Sequence, residues 1–143
     1  MEIIKIKKID EKISNFIFSL RNKSYVRKNS LKNSKINLKN HQTWVQNFSK
    51  KNNKLYVIMQ EKILIGYFRL EFNKKMYNTS WALIKKFHGK GYAKKGLNYV
   101  TKNKSYKYKA VIKKNNLASL NVATFANFKL KRTKNNIFYL YKN

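Results

Sequence analysis

Glycine is scarce in this chain and unevenly placed. Only 4 of the 143 residues are Gly and none is Pro, yet three of the four fall within Gly89-Lys90-Gly91-Tyr92-Ala93-Lys94-Lys95-Gly96. The surrounding pattern puts this stretch between a strand and a helix. A strand-to-helix turn without side-chain bulk lets backbone N–H groups approach a ligand, and the helix N-terminus adds partial positive charge, a combination that binds phosphate. Lys90, Lys94 and Lys95 add full charges beside it. The spacing is not that of a Walker A loop, and Lys94 stands where a Rossmann G-x-G-x-x-G needs its third glycine. The competing reading is a tight turn followed by a glycine that packs a helix closely.

The flanking residues read as one α+β domain over 1–143. Residues 2–8 alternate as a first strand. Asp10 is a candidate N-cap for a helix with Ile13, Phe16, Ile17 and Leu20 on one face. A basic segment of weak periodicity, 21–39, follows and reads as loop with some helix. Asn40 is expected to cap a second helix, in which His41, Trp44, Val45 and Phe48 repeat the spacing. The period then changes. Residues 54–60 and 63–72 read as a hairpin turning at Glu61-Lys62, with a third meander strand over 77–84 after a turn at 73–75. A helix over 90–103, a half-buried strand carrying Tyr106, Tyr108, Ala110 and Ile112, a helix over 116–125 and a last strand over 137–141 complete the order. One further short strand is expected near 129–132.

Composition narrows the chemistry. Nine Phe, ten Tyr and two Trp supply a core that a disordered chain would lack. With no Cys there is no disulfide, thiolate ligand or cysteine nucleophile. Two His and five Asp and Glu, scattered, offer no metal-ligand spacing, so no metal is expected. The only Asp, Asp10, begins a helix, and no nucleophile elbow accompanies it, which disfavours a Ser-His-Asp hydrolase. The longest apolar runs, such as 63–68, fall far short of the roughly 20 residues of a bilayer span. No membrane association is expected, and the cytoplasm is the expected location. The net charge of +29 attracts polyanions whatever the fold. Richness in Lys, Asn, Ile, Phe and Tyr is also what an AT-rich coding sequence imposes, so most of the charge is read as compositional, with no specific nucleic-acid partner.

His88-Gly89-Lys90-Gly91-Tyr92-Ala93 resembles the Q/R-x-x-G-x-G/A pyrophosphate loop of the GNAT superfamily of acetyl-CoA-dependent N-acetyltransferases. The likeness runs along nearly the whole chain. The run ILIGYFRLEF with Gly66 resembles the family's central strand, and SWALIKKFHGKGYA its strand-to-helix passage. Asn116-Leu117-Ala118-Ser119 resembles the N-x-x-S that opens the fourth helix, and Phe128 stands at the Phe of the family's Gly-Phe pair. Three positions depart: His88 replaces Arg or Gln, Asn127 replaces Gly, and Ala123 sits where many members place a general-acid Tyr. Asn tolerates a left-handed backbone, so the second change is mild.

The resemblance implies a three-layer α/β/α fold with a mixed, mostly antiparallel sheet of six to seven strands and about four helices. It implies acetyl-CoA as co-substrate, bound along Leu83 and Ile84, over His88, Gly89, Lys90, Gly91, Tyr92 and Ala93, and near Asn116 and Ser119. It further implies that a neutral amine attacks the thioester while a backbone N–H of the third meander strand stabilises the oxyanion. Glu71 is the first candidate for the base, with His41 the second. The pattern Leu20-Arg21-Asn22, Val26-Arg27, Ser30, Ile36, His41, Trp44 resembles the acceptor segment of the branch that acetylates nucleotide-linked amino sugars for bacterial surface glycans of the pseudaminic-acid type. On that likeness Arg21, Asn22, Arg27 and His41 contact the substrate, with the arginines pairing a diphosphate. Core packing for Trp44 and a structural hydrogen bond for His41 are the competing readings. A protein N-terminus or ribosomal protein as acceptor, and a non-catalytic nucleic-acid-binding module, are the alternatives. A monomer or homodimer is expected.

Overall fold

Two apolar faces of one sheet organise the chain. The computed structural model describes all 143 residues, Met1–Asn143. Its elements are β1 (Glu2–Ile6), α1 (Glu11–Arg21), α2 (Ser24–Arg27), α3 (Leu38–Phe48), β2 (Lys54–Gln60), β3 (Ile63–Asn73), β4 (Met76–Leu83), a 3-10 turn (Lys85–Phe87), α4 (Tyr92–Val100), β5 (Lys107–Lys113), α5 (Leu117–Phe125), β6 (Lys129–Lys134) and β7 (Ile137–Lys142). The seven strands form one sheet in the order β1-β2-β3-β4-β5-β7-β6. Every neighbouring pair is antiparallel except β4–β5, which is parallel. The expected mixed, mostly antiparallel α+β sheet is therefore present.

Alternation along the strands splits the core in two. On the front face, Leu55, Val57, Tyr67 and Ala82 pack under Ile13, Ile17 and Leu20 of α1 and Phe48 of α3. On the back face, Phe68, Leu70, Tyr108 and Ala110 pack under Leu97 of α4 and Ala123 of α5. Phe68 is 1% exposed, and burying a side chain of that size contributes on the order of 2–3 kcal/mol. Gly96 makes the α4 contact possible: a Cβ there would lie 2.5 Å from the Phe68 ring. Gly96 therefore packs the helix closely, as the competing reading of this stretch had it.

Tight turns set the meander. Glu61 and Lys62 have φ of 49° and 64°, and Lys74 and Lys75 have 48° and 69°. Two consecutive left-handed residues match the twist of a two-residue hairpin. Asn135 and Asn136, at 53° and 61°, join β6 to β7 in the same way. Asn127 adopts φ 70°, the left-handed conformation that its replacement of Gly requires.

Several boundaries differ from the sequence reading. Asn37, not Asn40, caps α3: its side chain accepts the Asn40 N–H at 2.8 Å, so the helix begins at Leu38. The helix expected from 90 begins at Tyr92, because Gly91 at φ 82° cannot continue it. Segment 21–39 contains α2, which buries no residue and so leaves no periodic signal. Five helices stand where about four were expected. The further strand near 129–132 forms, and extends to Lys134.

Candidate functional site

β4 and β5 pair only where Met76, Tyr77 and Asn78 face Lys107, Tyr108 and Lys109. Beyond that point β4 pairs only with β3, and β5 only with β7, so the two central strands diverge into a V. Its walls expose peptide groups. The Ile84 N–H donates to the Ile65 carbonyl at 2.8 Å, which commits Ile84 and, by alternation, Ala82 and Ser80 to the β3 ladder. The peptide groups of Thr79, Trp81 and Leu83 then turn toward the opening. Leu83 uses its carbonyl there to accept from Nε2 of His88 at 2.8 Å, which fixes the Nε2–H tautomer.

The loop after β4 closes the wide end of the V. Gly89 and Gly91 have φ of 75° and 82°, and a Cβ on either would meet no atom within 4 Å. Backbone conformation requires glycine at both positions, and the loop surface is open. None of the six N–H groups from Gly89 to Lys94 donates to an acceptor within the protein; Lys95 is the first that does, to the Gly91 carbonyl at 3.1 Å. Six free donors at a helix start, with Lys90, Lys94 and Lys95 beside them, are an arrangement that can receive an anion. Tyr25 of α2 braces the approach, its hydroxyl accepting from the Lys85 N–H at 3.2 Å and its ring set edge-on to His88 at 5.7 Å. Sequence reasoning missed Tyr25, because α2 shows no helical period.

A polar cluster occupies the front face beside the apex of the V. Arg69 and Ser80 are cross-strand partners, and the Arg69 Nε–H donates to Ser80 Oγ at 3.2 Å. Arg69 also approaches Glu71 at 3.7 Å. The guanidinium groups of Arg69 and Arg21 each lie 5.5 Å from the Trp44 ring centroid. Arg21 Nη1 and Trp44 Nε1 are buried without a hydrogen-bond partner. Burial, then repulsion from Arg69, lowers the Arg21 pKa. Two arginines against one half-exposed carboxylate leave this corner short of negative charge. The contribution of Arg69 and Ser80 was hidden because it needs the cross-strand register of β3 and β4, which places the two side chains opposite each other.

Other residues singled out from the sequence take structural roles. His41 is 1% exposed, with Nε2 3.0 Å from both the carbonyl and the hydroxyl of Ser14, and its ring packs on Phe18 and Trp44. Burial lowers its pKa, and it joins α1 to α3 instead of facing the V. Asn22 exchanges two hydrogen bonds with the backbone of Ile36, at 2.9 and 3.0 Å. Arg27 donates to the carbonyls of Asn22 and Asn33. Both residues therefore fasten the loop between α2 and α3 through these bonds, where Asn22 was expected to contact the substrate and Arg27 to pair a diphosphate. Asn116 spends its Oδ1 on the Ser119 N–H as the cap of α5. Ala123 is fully buried in the back core. No group of three or more His, Cys, Asp and Glu could hold a metal ion, and no helix is long and apolar enough to cross a membrane.

The splayed sheet junction that ends on a glycine loop before a helix belongs to a fold that the chain shares with several N-acetyltransferases of known structure. No family model and no curated protein matches the sequence. Solved structures match closely in shape. The ribosomal-protein-alanine N-acetyltransferase of Brucella melitensis superposes with a TM-score of 0.78 at 16% identity, over 99% of each chain. The spermidine N-acetyltransferase of Vibrio cholerae, in complex with CoA and spermine, gives 0.78 at 14% identity, covering 98% of this chain and 94% of that one. The Campylobacter jejuni N-acetyltransferase PseH, in complex with acetyl coenzyme A, gives 0.70 at 14% identity, covering 99% of this chain and 96% of the other.

Proposed function

We propose that the chain is an acetyl-CoA-dependent N-acetyltransferase acting on a primary amine. One observation carries the reading: the V between β4 and β5 opens onto six consecutive N–H groups that have no acceptor within the protein. Such a run suits a pyrophosphate, and the open peptide edge of β4 suits an amide-bearing arm laid against it. The solved structures of the same fold with coenzyme A or acetyl coenzyme A bound support it.

The co-substrate supplies an activated acyl group as a thioester. Leu83, Ile84 and the loop from His88 to Ala93 hold and orient it, with Ser119 at the α5 N-terminus beside them. A β4 N–H turned into the V supports the developing oxyanion. Glu71, on the front face next to the apex, takes the proton of the acceptor ammonium directly or through water. With Ala123 buried in the back core, α5 offers no general acid at that position. His41 keeps α1 and α3 in register and takes no part in proton transfer.

For the acceptor, the Arg21–Trp44–Arg69 corner favours an amine carried on an anionic molecule, and a nucleotide-linked amino sugar is the reading we advance. A protein N-terminus is the competitor. Calorimetric titration with acetyl-CoA tests the cofactor: sub-millimolar binding is expected, and no binding ends the proposal. Thiol release measured with UDP-amino sugars, peptides and polyamines in parallel tests the acceptor; turnover confined to peptides or polyamines overturns the amino-sugar reading.

A further inference from the structure

No helix packs over the front of the β5–β7–β6 half of the sheet; the segment after α2 touches it only at the β5 end, where Lys113 Nζ donates to the Lys28 carbonyl at 3.1 Å and to Asn33 Oδ1 at 2.6 Å. Neither core cluster contains a front-facing residue of these strands. Register arranges that face in columns. Tyr141 lies between Lys109 on β5 and Lys129 on β6, and Tyr139 faces Arg132 in the next row. The pairing is closed by contacts: Arg132 sits 4.3 Å from the Tyr139 ring centroid, and Lys109 lies 5.4 and 5.9 Å from those of Tyr139 and Tyr141. Lys134 continues the outer column. Tyr139 and Tyr141 therefore stand beside a continuous basic column on β6, with Lys109 flanking Tyr141 and Val111 flanking Tyr139 on β5, on a half-exposed sheet surface, and β6 is exposed along its whole length.

Charge decides what such a face can receive. The five carboxylates are Glu2, Asp10, Glu11, Glu61 and Glu71, so none follows position 71 and none belongs to β5, β6 or β7. A second copy of this chain, at +29, is repelled. An acidic partner is required, and the tyrosines favour one that also presents flat rings. Bases stack on aromatic side chains while flanking cations follow the phosphates, the arrangement by which open sheets hold single strands.

We propose that this face binds single-stranded nucleic acid, independently of the acetyl-transfer site. The test is fluorescence anisotropy of labelled oligouridylate and oligothymidylate across a salt series, the two sugars separating RNA from DNA. The double variant Tyr139→Ala/Tyr141→Ala is expected to weaken both by about tenfold or more while leaving inorganic polyphosphate binding unchanged. Lys109→Gln/Arg132→Gln is expected to flatten the slope of log Kd against log salt by about 2. Lys7→Gln/Lys8→Gln, an equal charge change beyond β1 at the opposite sheet edge, is expected to leave oligonucleotide affinity in place. Equal losses from the remote and local pairs, an unchanged affinity in the tyrosine variant, or polyglutamate competing as well as oligonucleotide would overturn the proposal. Should the tyrosine variant fail to fold, photocrosslinking of 5-iodouridine oligonucleotide to the unmodified protein decides: crosslinks at Tyr139 or Tyr141 support it, and crosslinks only elsewhere overturn it.

Discussion

His88 Nε2 and the Leu83 carbonyl oxygen are 2.8 Å apart, so the residue that opens the glycine loop is anchored to the strand wall of the V. The bond uses one of the peptide groups that splaying leaves free, and it ties the start of the glycine loop to β4. His88→Ala is expected to weaken acetyl-CoA binding about fivefold, the worth of one net hydrogen bond. His88→Gln, which keeps a donor, is expected to recover most of it. Calorimetry on both variants measures this, and equal affinity in all three proteins would mean the loop holds its shape without the anchor.

Glu71 lies beside the apex on the front face, 3.7 Å from Arg69. Glu71→Gln removes the proposed base and keeps the shape. A fall in kcat of about 100-fold or more is expected, with acetyl-CoA affinity retained. Unchanged kcat in steady-state thiol release would exclude Glu71 as the base.

Gly96 sits where a Cβ would meet the Phe68 ring at 2.5 Å. Gly96→Ala gains helix propensity but drives a methyl group into the buried Phe68 ring. A net loss of about 1–3 kcal/mol is expected in denaturant unfolding. Combining it with Phe68→Leu should recover part of that loss, because the smaller side chain vacates the contact.

Burial lowers the His41 pKa below its ordinary value of 6.5. The folded protein therefore binds fewer protons than the unfolded chain as pH falls through that value. Stability is expected to be full above pH 6.5 and to decline below it, until the folded-state pKa is passed. His41→Phe is expected to flatten this part of the stability–pH curve, which unfolding midpoints across mildly acidic buffers measure. At the alkaline end the sign is opposite. Burial pushes the Tyr108 phenol up to about 12 and also raises the phenols of Tyr56, Tyr67 and Tyr77, so stability should be lost as pH rises beyond 10, and Tyr108→Phe should remove its share of that loss.

The parts of this molecule that were legible in the sequence are those where chemistry is local. Gly89 and Gly91 stood out because a chain this poor in glycine places it only where the backbone demands it. Glu61-Lys62 marked a turn because it interrupts two apolar runs. Asn127 signalled a left-handed residue because it stands at the Gly of the Gly-Phe pair in the family it resembles, and its φ is 70°. The rest depended on contacts between segments remote in sequence. Asn22 and Arg27 look like ligand groups until Ile36 and Asn33 are seen to engage them. His41 has the spacing of a helix face, and only the arrival of Ser14 from α1 makes it a structural residue. The Arg21–Trp44–Arg69 corner draws on α1, α3 and β3, which no local pattern brings together. The basic and aromatic columns on β5, β7 and β6 read as ordinary strand alternation, because alternation does not say whether a helix lies above it.

The most direct test of the central claim is the backbone amide spectrum of the labelled protein titrated with acetyl-CoA. If the glycine loop is the pyrophosphate cradle, the amides of Gly89, Lys90, Gly91, Tyr92, Ala93 and Lys94 show the largest shifts, joined by those of Trp81 and Leu83 along the wall of the V. The variant Gly91→Asp, which places a carboxylate against the phosphates, abolishes these shifts while the remaining spectrum stays that of a folded domain. Shifts centred away from these residues, or an unchanged response in Gly91→Asp, would contradict the account.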